Sequence, residues 1–120
     1  MSAFRVNLIA VNPNDPTKAT QPQEVLVDTG SELSWLPSDV LSRADIGPVR
    51  KRTFQTAMKQ TIQREIRYAI LRAEGYETID EVVFAEPGDM ALLGVRTIEG
   101  FGVAVDNIAH RFIATVTIVA

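Results

Sequence analysis

The sequence has 120 residues, of which 46% are apolar and 22% charged, and its formal net charge is −3. This is the length of one ordinary domain with a globular balance, so we predict a single domain over residues 1–120 and exclude a disordered chain. Because the chain has no cysteine, disulfides, thiolate nucleophiles and cysteine metal sites are excluded. His110 is the only histidine, which excludes a multi-histidine metal site within one chain. We therefore expect no metal site, and we expect no cofactor.

Charge and hydropathy indicate which partners to expect. The slightly acidic balance argues against a nucleic-acid binder, and we predict that the densest basic cluster, Arg50-Lys51-Arg52, is a solvated loop rather than a phosphate site. No stretch approaches the length of a membrane span, and the start Met1–Arg5 lacks a basic segment followed by a long apolar run. We expect either a cytoplasmic protein with no nucleic-acid or membrane partner, or a domain of a longer chain.

Short β-branched runs separated by turn residues dominate the chain and predict strands. In the first half, strands are expected at 4–11, 24–27 and 33–36. Pro37-Ser38-Asp39 then predicts a short helix through Ala44, because Pro and an acid favour the first helical turn. In the second half, strands are expected at 79–85, 91–93, 103–105 and 112–119, with a short helix at 97–101 that Gly102 ends.

The middle of the chain is ambiguous. Residues 53–57 and 61–73 are typical of the two arms of a long hairpin. However, the apolar residues of the second arm mix period-2 and period-4 spacing, so a helix over 57–73 is an alternative. The pattern as a whole predicts a mainly β fold, a barrel or a sandwich, with one or two short helices.

The most informative segment surrounds Asp28-Thr29-Gly30. The apolar run Val25-Leu26-Val27 leads into the acid, and an apolar strand resumes at Leu33. The acid is therefore expected at a strand end beside the core, where Gly30 lets the backbone turn sharply or approach another chain. Taken alone, the tripeptide is also compatible with an ordinary turn between two strands.

Two motifs in order connect this chain to a known family. The stretch Val25–Pro37 resembles the active-site loop of aspartic proteases, and Trp35-Leu36-Pro37 resembles its pepsin-type version. Downstream, Leu92-Leu93-Gly94 resembles the apolar-apolar-Gly sequence that packs beside that loop, and residues 97–106 resemble the helix and strand that follow it in bacterial single-domain members. The chain from about Glu24 onward thus resembles retropepsin-like aspartic proteases. The resemblance implies a closed β-barrel with one Asp-Thr-Gly loop per subunit.

This resemblance implies an aspartic endopeptidase that hydrolyses peptide bonds of an extended polypeptide. The chemistry needs two carboxylates, and similar single-domain proteases form homodimers in which a two-fold axis brings the same acid of each subunit together. Asp28 would be the catalytic residue, and the pair would share a proton. Residues 112–119 are long, β-branched and uncharged, and are expected to interleave with the partner's terminal strands.

The resemblance also implies roles for neighbouring residues. Thr29 would hydrogen-bond across the dimer axis, Gly30 would permit the close approach, and Ser31 would either support the carboxylate or be an ordinary turn hydroxyl. Trp35 is expected in the core rather than on the substrate. The set expected to pack against the loop, with a share in the wall of a substrate pocket, is Trp35, Leu92, Leu93 and Gly94.

Two departures from the family leave alternatives open. The candidate flap tip, Ala57-Met58-Lys59-Gln60, has no glycine, unlike retroviral flaps. Arg96 stands where related proteases often carry a polar or acidic residue near Gly94; we expect it to be a surface arginine, although it could pair with an acid near the site. A catalytically inactive member of this fold, serving as a binding or dimerisation module, is therefore the main alternative. An unrelated small β-barrel with an ordinary Asp-Thr-Gly turn is a third.

Overall fold

The computed structural model describes residues 4–120. The expectation that Met1–Arg5 does not begin a targeting segment therefore rests partly on residues outside the described range. The strands are β1 Arg5–Val11, β2 Gln23–Val27, β3 Ser34–Pro37, β4 Arg50–Gln55, β5 Thr61–Ala73, β6 Tyr76–Ala85, β7 Leu92–Leu93, β8 Val103–Asp106 and β9 Arg111–Ala114. The helices are α1 Ser38–Arg43 and α2 Val95–Phe101. Strands make up 48% and helices 11% of the chain, which confirms the prediction of a mainly β fold with short helices.

Seven of the strands form one sheet, and six of these seven close into a ring. The order is β1-β2-β7-β3-β6-β5-β4, and β1 also pairs with β5. The first half of β1 pairs with β2, and its second half, Ile9–Val11, pairs with β5. This division of β1 between two partners closes the sheet into a ring, and β4 pairs with the first half of β5, from Thr61 to Ile66. β8 and β9 form a separate two-stranded sheet.

The main core is built from alternating strand positions. In β1, Val6, Leu8 and Ala10 are buried while their neighbours Arg5 and Asn7 are exposed, which is the period-2 pattern of a strand with one core face. Both helices contribute to the same core. Complete burial of a leucine side chain such as that of Leu8 contributes about 1.5–3 kcal/mol.

The hairpin prediction for the middle of the chain is confirmed, and the helical alternative is wrong. β4 and β5 pair from Arg50↔Ile66 to Gln55↔Thr61, and β5 then pairs with β6. The period-4 spacing of Ile62, Ile66 and Ile70 did not distinguish the two, because four is also a multiple of the strand period and puts all three on one face. The basic cluster that was expected in a solvated loop, 50–52, lies in β4.

The prediction of a last strand over residues 112–119 is wrong in its second half. β9 is only Arg111–Ala114, because its partner β8 has four residues and the ladder ends at Val103↔Ala114. Beyond this point, Val116, Ile118 and Val119 are 93%, 89% and 92% exposed. Within residues 4–120, neither helix has the length and apolarity needed to cross a lipid bilayer.

A partly enclosed ion pair joins β5 to the turn after β6. Arg64 Nε and Nη2 donate to the two carboxylate oxygens of Asp89 at 2.6 and 2.9 Å, and the Glu86 N–H donates to Asp89 at 2.8 Å. The hydrogen bond from Arg64 is the largest cause that holds the pKa of Asp89 below its usual value; burial opposes this effect and the Glu86 N–H adds to it. Only 15% and 17% of the two side chains are exposed, so water screens the pair weakly.

We predict that Asp89→Asn lowers the free energy of unfolding at pH 7 by about 1.5–3 kcal/mol, the range for hydrogen bonds to charged groups. Since folding lowers the pKa of Asp89, the wild-type advantage should be present above about pH 4 and decline as the pH falls through the folded-state pKa. Urea unfolding of the wild type and Asp89→Asn at pH 7 and at a pH below about 4 measures the difference in the free energy of unfolding. The exposed pair of Asp39 with Arg43 provides the control, and Asp39→Asn should change stability by less than about 0.5 kcal/mol. Equal effects of the two variants would contradict the prediction.

Candidate functional site

Asp28 stands at the end of β2, at the point where the chain leaves the sheet. β2 runs parallel to β7 with Val27 opposite Leu93, and the Asp28 N–H donates to the Leu93 carbonyl at 3.0 Å. The Gly30 N–H donates to Asp28 Oδ1 at 2.9 Å, which orients the carboxylate within its own turn. Ser31 Oγ donates to the Leu33 carbonyl at 2.8 Å. Of the two roles predicted for Ser31, this bond corresponds to the turn hydroxyl rather than to support of the carboxylate.

The segment around Gly94 is locked against the Asp28 loop, as the sequence predicts. The N–H groups of Val95 and Arg96 donate to the carbonyls of Ser31 and Glu32 at 2.8 and 3.1 Å. Gly94 is buried, and a Cβ atom added to it would stand 2.4 Å from both the carbonyl carbon and the oxygen of Leu33. Only glycine therefore permits this approach of the two main chains.

A buried polar network supports this contact, and the sequence analysis did not identify its members. Ser34 Oγ accepts the Gly94 N–H at 2.9 Å and lies 2.7 Å from Thr97 Oγ1, which donates to Asp80 Oδ2 at 2.9 Å. Ser34 and Thr97 are completely buried and Asp80 nearly so. Their only signal in the sequence is a polar residue at a position where the strand or helix pattern requires an apolar one.

Asp28 lines a cleft of about 490 Å³ between its own loop and the β4–β5 hairpin. The wall is about equally polar and apolar, and its apolar part includes Leu92, Ile62 and the half-buried rings of Trp35 and Phe54, whose centroids are 5.2 Å apart. Trp35 is half-buried: it packs against a core cluster of Leu33, Ile66 and Val83, and it also lines the cleft. Leu93 is completely buried, so of the two leucines only Leu92 reaches the cleft.

The candidate flap residues form the tip of the β4–β5 hairpin. The Thr56 N–H donates to the Gln60 carbonyl at 2.8 Å, the Lys59 N–H donates to the Thr56 carbonyl at 2.9 Å, and Lys59 has a φ of 61°. The turn thus places a lysine in the left-handed region, which glycine adopts more readily. Ala57 lines the cleft, whereas Met58, Lys59 and Gln60 are exposed at the tip and do not line it.

A cluster of charges adjoins the cleft. Glu81 accepts hydrogen bonds from Arg50 at 2.7 Å and from Arg96 at 3.3 Å. Burial opposes ionisation of Glu81, but these two arginines outweigh it and hold its pKa below the usual value. Arg96 also lies 3.2 Å from Asp80. Arg96 therefore pairs with acids beside the site, and the expectation of a plain surface arginine is wrong.

Thr29 and Gly30, the other two residues of the motif, are exposed, and Gly30 also lines the cleft. Two other acids, Asp106 and Glu99, do not line the cleft and so do not supply a second carboxylate beside Asp28. In the part of the chain that the structure describes, no group of three or more His, Asp or Glu side chains is arranged to hold a metal ion.

The chain was compared with known proteins in two ways. No model of a protein family matches it. No curated protein matches it at a significant level.

We predict that Gly94→Ala destabilises the protein by about 3 kcal/mol or more, the upper end of the cost of overpacking, because the added Cβ meets rigid main chain. Gly47→Ala is the matched control. Nothing lies within 4 Å of a Cβ at Gly47, so the change should stay within about 1 kcal/mol. Thermal or urea unfolding compares the two variants. Wild-type stability in Gly94→Ala would contradict the close packing of the two loops.

Proposed function

We propose that this chain is one subunit of a homodimeric, retropepsin-like aspartic endopeptidase with Asp28 as its catalytic residue. The observation that carries the proposal is that Asp28 lines a cleft and stands on a loop locked to the Gly94 segment. The ring of strands, compatible with the closed barrel of that family, and the hairpin over the cleft also support it. A polypeptide, which offers both apolar and polar groups, suits a cleft whose lining combines aromatic rings with polar side chains.

The homodimer is part of the proposal because one subunit has one suitable carboxylate. Thr29 and Gly30 are exposed beside Asp28, which leaves the loop free to meet its copy on a two-fold axis. The apolar residues of the segment after β9, namely Val116, Ile118 and Val119, are nearly fully exposed. Contact with a second subunit would bury this surface, which is otherwise costly and prone to aggregation.

In the proposed mechanism, the two Asp28 carboxyl groups lie about 3 Å apart and share one proton, since both cannot ionise at that distance. The ionised group accepts a proton from a bound water as the water oxygen attacks the scissile carbonyl carbon. The protonated group donates its proton to the carbonyl oxygen, giving a tetrahedral diol. The carboxyl group that accepted the water proton then donates it to the amide nitrogen. The C–N bond breaks as the other carboxylate accepts a proton from the diol, and a carboxylic acid and an amine are released.

A catalytically inactive binding or dimerisation module is the second candidate. The hairpin tip favours it, since Met58, Lys59 and Gln60 are exposed and the turn holds lysine rather than glycine at its positive φ. Such a tip is less adaptable than a glycine-rich one and covers the cleft less completely. The two candidates differ in one measurable property, which is cleavage that depends on Asp28.

We predict that Asp28→Asn abolishes peptide cleavage, with a loss of at least about 10³-fold, because the amide neither accepts the water proton nor donates a carboxyl proton. The nearly isosteric change should leave the fold intact, as circular dichroism can verify. Asp39→Asn, which removes an exposed acid on α1, is the control and should retain full activity. Undiminished cleavage by purified Asp28→Asn would exclude the catalytic role.

The same assay, repeated across pH, should give a bell-shaped rate profile with an optimum on the acid side of neutral. The two limbs report the pair as a unit, because the shared proton belongs to both carboxyl groups. A rate that rises steadily above about pH 8 would indicate a different chemistry.

We predict that Ile118→Lys weakens the dimer and lowers specific activity at low protein concentration, because burial of the new charge is costly. Sedimentation velocity and activity on serial dilution measure the two effects. Ile79→Lys on β6 is the control, since Ile79 is also exposed, at 68%, and apolar. A wild-type protein that stays monomeric with concentration-independent activity would refute the homodimer.

A further inference from the structure

Arg52 lines the cleft, and within residues 4–120 its guanidinium group donates no hydrogen bond. Its Nη1 lies 3.6 Å from Glu81 and its Nη2 lies 4.0 Å from Glu32. Both separations exceed a hydrogen bond, and an arginine has five donors to satisfy. The side chain is 34% exposed, so these donors are accessible from the cleft.

The neighbouring acids leave Arg52 the least neutralised of three arginines. Glu81 already accepts hydrogen bonds from Arg50 and Arg96, and Asp80 is paired with Arg96. The remaining acid near Arg52 is Glu32, whose side chain is 65% exposed and therefore hydrated. An ion pair of that length and exposure contributes little. Arg52 is thus the cation of the cleft lining, and its pairs with Glu81 and Glu32 are longer than hydrogen bonds.

The position of Arg52 is fixed by packing as well as by charge. Its guanidinium carbon lies 5.8 Å from the ring centroid of Phe54, and Phe54 packs on Trp35. Both rings and Asp28 line the same cleft. A peptide that passes Asp28 would therefore meet two aromatic rings and one cation. Arginine favours carboxylates because its fork makes two parallel charged hydrogen bonds with them.

We infer that Arg52 is a specificity-determining residue that binds the carboxylate of an acidic side chain in an extended peptide held in this cleft. The link to cleavage rests on the proposed function, whereas binding does not. A basic side chain is the competing occupant because Asp28 and Glu32 also line the cleft. It is the weaker candidate because Glu32 is largely hydrated and Asp28 accepts a hydrogen bond within its own turn.

The test uses a set of extended peptides that contain an aromatic residue and are otherwise uncharged. Glu, Gln or Lys is placed at each of the other positions in turn. Binding to Asp28→Asn protein is measured by fluorescence anisotropy, and cleavage by the wild type is measured in parallel. The variants are Arg52→Gln, Arg52→Lys, which keeps the charge without the fork, and the matched control Arg50→Gln. Arg50 shares Glu81 with Arg52 but does not line the cleft.

At one position, Glu should bind about tenfold more tightly than Gln, the low end for a hydrogen bond to a charged group. Arg52→Gln should remove this preference, Arg52→Lys should keep part of it, and Arg50→Gln should keep most of it. The inference is overturned by equal or undetectable binding of the Glu and Gln peptides, by a preference for Lys, or by a Glu preference that survives in Arg52→Gln. Asp28-dependent cleavage without this preference would overturn the inference alone, and the preference without cleavage would overturn the proposed function alone.

Discussion

The close approach of Gly94 to the main chain of Leu33 is the constraint on which the candidate site depends. A Cβ at this position would stand 2.4 Å from backbone atoms, so the two segments contact each other main chain to main chain. That contact lets Asp28, Val95 and Arg96 make backbone hydrogen bonds across the two segments. The Asp28 turn is therefore held by rigid backbone rather than by flexible side chains, which is the support that a positioned carboxylate requires.

Charge connects this rigid loop to the hairpin that forms the other wall of the cleft. Glu81 on β6 lies between Arg50 and Arg52 of β4 and Arg96 of α2, so one carboxylate links three elements. Asp80 extends the link through Thr97 and Ser34 to the Gly94 N–H. Because the side chains of Glu81 and Asp80 are only 21% and 6% exposed, their interactions are screened less than those of the exposed ion pairs elsewhere on the surface. Both walls of the cleft are thus held by one continuous polar network.

The family resemblance implied the contact of Leu92-Leu93-Gly94 with the Asp28 loop. Local patterns in the sequence predicted the hairpin, with a helix as the alternative, and α2 with its end at Gly102. Their signals lie within a few neighbouring residues, such as the φ of 73° that Gly102 adopts at the helix end. The failures involve partners that are distant in sequence. Residues 115–119 continue a β-branched run, but no residue of β8 lies opposite them, because β8 begins at Val103, which pairs with Ala114. Arg52 reaches Glu81 because β4 and β6 both pair with β5, and Arg96 reaches it because α2 packs on β6. Trp35 lines the cleft as well as a core cluster because it packs on Phe54 of the hairpin.

The central claim is that Asp28 acts only as a pair, and mixing subunits tests it most directly. Wild-type and Asp28→Asn proteins are mixed in equal amounts, allowed to exchange subunits, and assayed for cleavage at constant total concentration. Random pairing makes about one quarter of the dimers fully wild type, so activity should fall to about one quarter of that of the pure wild type. Activity near one half would mean that each Asp28 works independently, and it would contradict the shared catalytic pair.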